Sequence, residues 1–90
     1  MNTFRMIISS PDGTVFDGEI AMLTLRGAEG ELAIMAGHTP FVTSVVPCDC
    51  KLMLSDDEDE DKRGHTDGGL LSVTREAVTL LSGSFHWKEA

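Results

Sequence analysis

The sequence predicts an all-β fold, a sandwich or barrel of short strands. Three observations predict it. Apolar and β-branched residues alternate with polar ones in short runs. Turn formers punctuate the chain from Pro11-Asp12-Gly13 to Gly68-Gly69. No window sustains the 3.6-residue apolar period of a helix over ten or more residues.

The elements follow in order. Thr3 to Ser9 alternates Phe4, Met6 and Ile8 against Arg5 and Ser9 and reads as a strand. Pro11-Asp12-Gly13 is a turn, because Pro presets φ and Gly takes the left-handed angle. Thr14 to Phe16 reads as a second strand, and Asp17-Gly18 as a tight turn after it. Ile20 to Arg26 is the third, with Ala21, Leu23 and Leu25 on one face and Met22, Thr24 and Arg26 on the other. Glu31 to Met35 is the fourth, and Phe41 to Val46 the fifth, ended by Pro47. Cys50 to Leu54, Leu70 to Val73 and Val78 to Leu81 continue the series, and Phe85 to Trp87 reads as a last short strand. Phe4, Phe16, Phe41, Phe85 and Trp87 supply all the aromatic bulk, and some of them must fill the core.

Ninety residues make one small domain, with no internal repeat or dividing linker. A chain of this size buries only about 60–65% of its unfolded surface, so a partner that binds the folded state would add stability. No apolar run approaches the roughly 18 residues that span a bilayer, and no secretory signal is visible. The expectation is a soluble cytoplasmic chain that reaches a membrane only through another protein. The formal net charge is −8, which argues against nucleic acid and anionic lipid as direct partners. Six of the fifteen acidic residues stand together from Asp56 to Asp61. A block of like charge stays solvated, so residues 55–67 are expected to form a flexible acidic loop. Its acids lack the alternate spacing and the turn glycine of a calcium loop.

Candidate chemistry is sparse. His38 is the first catalytic suspect, but no Gly-x-Ser-x-Gly elbow and no orienting Asp accompany it. The plainer reading is a turn histidine bonded to a loop carbonyl or a partner surface. Cys48 and Cys50 are too close in sequence to staple distant elements, and a reduced compartment suits them. A zinc site would need further ligands, and His38, His65 and His86 are scattered singly. Gly27/Gly30 and Gly68-Gly69 are followed by no helix and so are not phosphate cradles. No cofactor or metal is called for.

The stretch Gly27-Ala28-Glu29-Gly30-Glu31-Leu32-Ala33-Ile34-Met35-Ala36-Gly37-His38-Thr39-Pro40-Phe41 carries a resemblance. It is similar to the Gly-x-x-Gly-x-Leu-Gly-Val-Leu-Pro-Gly-His-x-Pro-Leu stretch of the epsilon subunit of rotary ATP synthases (delta in mitochondria). Met1-Asn2-Thr3-Phe4, Ser10-Pro11, Val15-Phe16-Asp17-Gly18-Glu19, Gly68-Gly69-Leu70-Leu71-Ser72-Val73 and Val78-Thr79-Leu80-Leu81 look like that family too, in the right order. Departures are Ala33, Met35-Ala36 for Leu-Pro, and Pro47-Cys48-Asp49-Cys50 for a Pro-Gly turn.

The resemblance implies a flattened β-sandwich of about ten short strands. It implies a non-catalytic subunit of the central stalk, packed on the gamma subunit and touching the loops of the c-ring. There it would help couple proton or sodium flow to ATP synthesis, at the cytoplasmic face of the membrane. By position, Ser10, His38 and Thr43 match the gamma-facing surface of the family, and Glu31 matches the tip that meets the c-ring. The family's C-terminal helical hairpin has no counterpart in residues 82–90, so neither a brake on hydrolysis nor ATP binding is expected of this chain. The alternative is a stand-alone β-sandwich ligand- or metal-binding module that uses the acidic loop. An enzyme ranks third.

Overall fold

The computed structural model describes residues 2–55 and 61–88. Asp56 to Glu60, most of the acidic block, lie outside the described residues. The strands are β1 (Phe4–Ser10), β2 (Gly13–Ile20), β3 (Met22–Gly27), β4 (Gly30–Met35), β5 (Phe41–Val45), β6 (Cys48–Met53), β7 (Asp61–Thr66), β8 (Gly69–Val73), β9 (Val78–Ser82) and β10 (Phe85–Lys88). The described residues contain no helix, and none long and apolar enough to cross a membrane.

The strands run in the order β10-β7-β6-β3-β5-β8-β9-β1-β2, with β4 paired to β3. All described pairs are antiparallel except β1 with β9. The order hides a corner. Between β3 and β5 only Gly27 and Val45 stand in register. The sheet therefore folds into two halves of five strands, β2-β1-β9-β8-β5 and β10-β7-β6-β3-β4. Glycine suits the corner, because a Cβ on Gly27 would come 2.9 Å from Leu32 Cδ1. The Ala28 N–H donates to the Ser44 carbonyl at 3.1 Å, and the Val46 N–H to that of Arg26 at 3.2 Å, so the bend keeps its backbone bonds.

Strand alternation sends every second residue of each half inward. Met6, Ile8, Leu71, Val73, Val78 and Leu80 come from one half, and Leu23, Leu25, Ile34, Cys50 and Leu52 from the other. They form one core, and they are the residues an inward period of two selects. Two buried hydroxyls are satisfied there: Thr66 Oγ1 and Ser82 Oγ are 2.6 Å apart, and Thr66 Oγ1 accepts from the Gly68 N–H at 3.0 Å. The domain measures 31 × 31 × 25 Å along its principal axes.

Two expectations change. Asp17-Gly18 is not a turn. β2 runs through it, with Asp17 opposite Ile7 and Gly18 opposite Met6. The glycine serves the Phe16 ring, since a Cβ there would come 3.2 Å from Phe16 Cζ. Nor is the 55–67 stretch wholly a loop. Asp61 to Thr66 form β7, paired with β6 on one side and β10 on the other. Pairing on both edges holds a strand whose own sequence lacks β-branched alternation. β6 likewise begins at Cys48, so both cysteines are strand residues, Cys48 half-buried and Cys50 buried.

Candidate functional site

The two outer faces of the sandwich differ in charge. On the β5-β8-β9-β1 half, eight outward residues form two cross-strand rows, and Arg5 of β1 lies beyond them at the margin. One is Ser44, Leu70, Leu81 and Ser9. The next is Val42, Ser72, Thr79 and Ile7. None of the eight is charged, in a chain whose net charge is −8. Three of them are large exposed apolar side chains: Val42 at 63%, Leu81 at 52% and Leu70 at 43% exposure. An uncharged, pleated, partly apolar sheet face suits packing against another protein surface.

The margin of this face is sealed electrostatically. Arg5 Nε and Nη2 donate to the two carboxylate oxygens of Asp17 at 3.0 and 2.8 Å, a bidentate pair between β1 and β2. The hydrogen bond from Arg5 holds the Asp17 carboxyl below its ordinary value.

The other outer face is an ion-pair lattice. Asp61 lies 3.6 Å from Lys51 Nζ and 3.4 Å from Arg63 Nη2. Asp49 accepts from Lys88 Nζ at 2.9 Å and stands 2.9 Å from His65 Nδ1. Hydrogen bonds from Lys88 first, then from His65, lower the Asp49 pKa.

The four sequence-predicted residues fall at different places. Ser10 ends β1, where its Oγ accepts from the Asp12 N–H at 3.3 Å in the turn. Glu31 is exposed on β4, opposite Arg26, one residue past the hairpin tip at Gly30 (φ +125°). His38 sits between β4 and β5, its Nδ1 2.9 Å from the Thr39 carbonyl and its ring 5.0 Å from Phe41. It is a turn histidine bonded to a loop carbonyl.

Thr43 lies on the opposite side of β5 from Val42 and Ser44, by alternation and burial. Ser10 and Glu31 share one end of the sandwich, since Ser9 leads across Leu81 and Leu70 to Ser44 beside the corner. His38 is at the other end, just before Phe41, which pairs with Val73. The structure thus brings no two of Ser10, His38 and Thr43 into contact.

Sequence reasoning missed Ile7, Val42, Leu70 and Leu81. A signal was present. Leu70-Leu71 and Leu80-Leu81 put two large apolar residues side by side in strands. In a strand one of the two must point outward.

Among the described residues, no serine, threonine or cysteine side chain is bonded to a histidine side chain. Likewise no group of three or more His, Cys, Asp or Glu is placed to hold a metal ion.

Comparison with known proteins decides the family. The family described as ATP synthase, Delta/Epsilon chain, beta-sandwich domain matches residues 3–88. The chain belongs to that family. Among curated delta/epsilon-family relatives, the ATP synthase epsilon chain of Clostridium perfringens is 34% identical over 89 residues, 99% of this chain and 65% of that one. The sodium ion specific ATP synthase epsilon chain of Acetobacterium woodii is 36% identical over 87 residues, 97% of this chain and 64% of that one. The chain therefore spans just under two thirds of those relatives.

Among solved structures, a chain in the Euglena gracilis mitochondrial ATP synthase (OSCP/F1/c-ring) superposes with a TM-score of 0.84 at 19% identity, over 94% of this chain and 53% of that one. A chain in the Tetrahymena thermophila mitochondrial ATP synthase central stalk and c-ring gives 0.74 at 16% identity, over 93% and 66%. These likenesses show the fold alone.

Proposed function

We propose that this chain is the non-catalytic β-sandwich domain of a central-stalk subunit in a rotary ATP synthase. It packs on the gamma subunit and helps couple ion translocation through the c-ring to ATP synthesis. The observation that carries the reading is the uncharged outer face of β5-β8-β9-β1, with Ile7, Val42, Leu70 and Leu81 on it. Family membership supports the identity of the partner.

The domain acts mechanically. A rigid sandwich, fixed to gamma by one face, transmits torque through packing area and shape. The β3–β4 tip with Glu31 reaches the c-ring loops, Ser10 and His38 lie at opposite ends of the gamma contact, and Thr43, on the inner side of β5, supports that face from behind. Attachment is peripheral, at the cytoplasmic face of the membrane and through the complex.

Co-purification tests this reading. The chain, expressed with its cognate gamma subunit and c-ring, is expected to elute with both in stoichiometric amounts. Elution of the chain alone would contradict it.

A further inference from the structure

Three methionines stand side by side on the outer face of the second half. Met22 on β3 is in register with Met35 on β4 and with Met53 on β6. Their neighbours Leu23, Ile34 and Leu52 point into the core, so the three methionines point out. Paired strands lie about 4.8 Å apart, which makes the row a nearly continuous thioether surface. Met35 is 58% exposed, while Met22 and Met53 are half-buried. Met6 is in the core at 0% exposure.

The two cysteine sulfurs are less accessible than Met35. Cys50 is 1% exposed. Burial first, then the neighbouring Cys48, pushes its thiol up to about 12. Cys48 is half-buried, and its Sγ accepts from the Arg26 N–H at 3.3 Å. Thiols react as thiolates, so Cys50, kept protonated and enclosed, is inert. Thioether oxidation needs no deprotonation, only access.

We propose that the Met35–Met22–Met53 row is the oxidant-responsive site of this chain, with Met35 oxidised first by hydrogen peroxide and the Cys48/Cys50 pair spared. The Met35 sulfur attacks one peroxide oxygen. An S–O bond forms as the O–O bond breaks, and the departing hydroxide takes up the remaining proton as water. Sulfur goes from thioether to sulfoxide, and one peroxide is reduced to water. The product is polar and chiral, and methionine sulfoxide reductases reverse it. At Met35 the new oxygen points to solvent on an edge strand, so the core is unchanged while the apolar row is interrupted.

The folded 90-residue chain is exposed to hydrogen peroxide and quenched at intervals. Each methionine peptide is followed by mass spectrometry, and free thiols are counted. Among the four described methionines, Met35 is expected to gain one oxygen first, Met22 and Met53 several-fold more slowly, and Met6 not at all while circular dichroism shows the fold intact. Both thiols remain titratable. Met35→Leu is expected to abolish the fast phase and leave the slow one. Should that variant not fold, the parent time course alone decides. Loss of thiols ahead of Met35, or Met6 oxidising as fast as Met35 in the folded chain, overturns the proposal.

Discussion

The ring of Phe16 on β2 meets the ring of Trp87 on β10 edge-on, with centroids 5.9 Å apart and planes at 71°. β2 and β10 are the two ends of the strand order, and no backbone pairing joins them among the described residues. Side chains close the sandwich where hydrogen bonds do not. Phe85 adds a second edge-to-face contact to Trp87 at 5.0 Å. Lys62 Nζ lies 4.7 Å from the Trp87 centroid and 6.0 Å from that of Phe16. Such aromatic pairs add about 0.5–1.5 kcal/mol beyond their burial.

Trp87→Ala is therefore expected to destabilise the chain by about 2 kcal/mol, less than a core truncation because the ring is 38% exposed. For a domain of this size, that lowers the melting midpoint by about 8–16 °C. Trp87→Phe should recover much of the loss. Thermal unfolding followed by circular dichroism checks both. A midpoint unchanged by the alanine variant would mean that the seam holds nothing together.

The Thr66–Ser82 pair makes a second prediction. The two hydroxyls are 2.6 Å apart and buried. Thr66→Val removes that bond and the acceptor of the Gly68 N–H, at a cost of about 1–3 kcal/mol. Ser82→Ala should cost about 1 kcal/mol. Because the two share one network, their combined cost is expected to fall short of the sum in a double-mutant cycle read by urea denaturation. Strict additivity would count against a shared network.

Acid should weaken the fold in a predictable direction. Asp17 and Asp49 both titrate below their ordinary 3.8 in the folded chain, held by Arg5 and by Lys88 with His65. A depressed folded value contributes stability that is present above the unfolded value. That contribution is lost as pH falls from about 3.8 through the lower folded values. Urea midpoints measured from pH 7 down to pH 2 should show that fall, and Asp17→Asn with Asp49→Asn should flatten it. An equally steep fall in the double variant would place the acid sensitivity elsewhere.

Residues 56–60 are expected to be dispensable for folding, and 61–63 are not. The first five are an unbroken acidic run, and removing like charge relieves repulsion. Asp61 to Arg63 begin β7, with Asp61 paired to Lys51 and Arg63. Replacing 56–60 with a Gly/Ser linker should leave the thermal midpoint within a few degrees, while extending the replacement through 63 should lower it clearly. The reverse order would refute the boundary.

Most strands were legible because their alternation is local. Leu23 and Leu25 point in while Met22, Thr24 and Arg26 point out, as period two requires. β7 was not legible, because Asp-Lys-Arg-Gly-His-Thr has no apolar face of its own. Its stability comes from neighbours distant in sequence. Gly18 read as a turn because its reason for being glycine, the Phe16 ring, is a packing fact. At the candidate site the family resemblance suggested positions but not sides. Thr43 faces away from Val42 and Ser44, and His38 lies at the opposite end from Ser10. Both depend on register between strands far apart in the chain. The Leu70-Leu71 and Leu80-Leu81 doublets carried the information about the uncharged face directly.

The most direct test of the account is a calorimetric titration of the chain with its cognate gamma subunit. Leu81→Asp and Leu70→Asp each put an unpaired charge on the uncharged face and are expected to weaken binding by about 2 kcal/mol, roughly 30-fold. His38→Asp should weaken it less, as befits an edge position. Lys51→Gln, on the ion-paired outer face, should leave affinity unchanged. Undiminished binding by both leucine variants, with circular dichroism showing them folded, would contradict the assignment of that face to gamma.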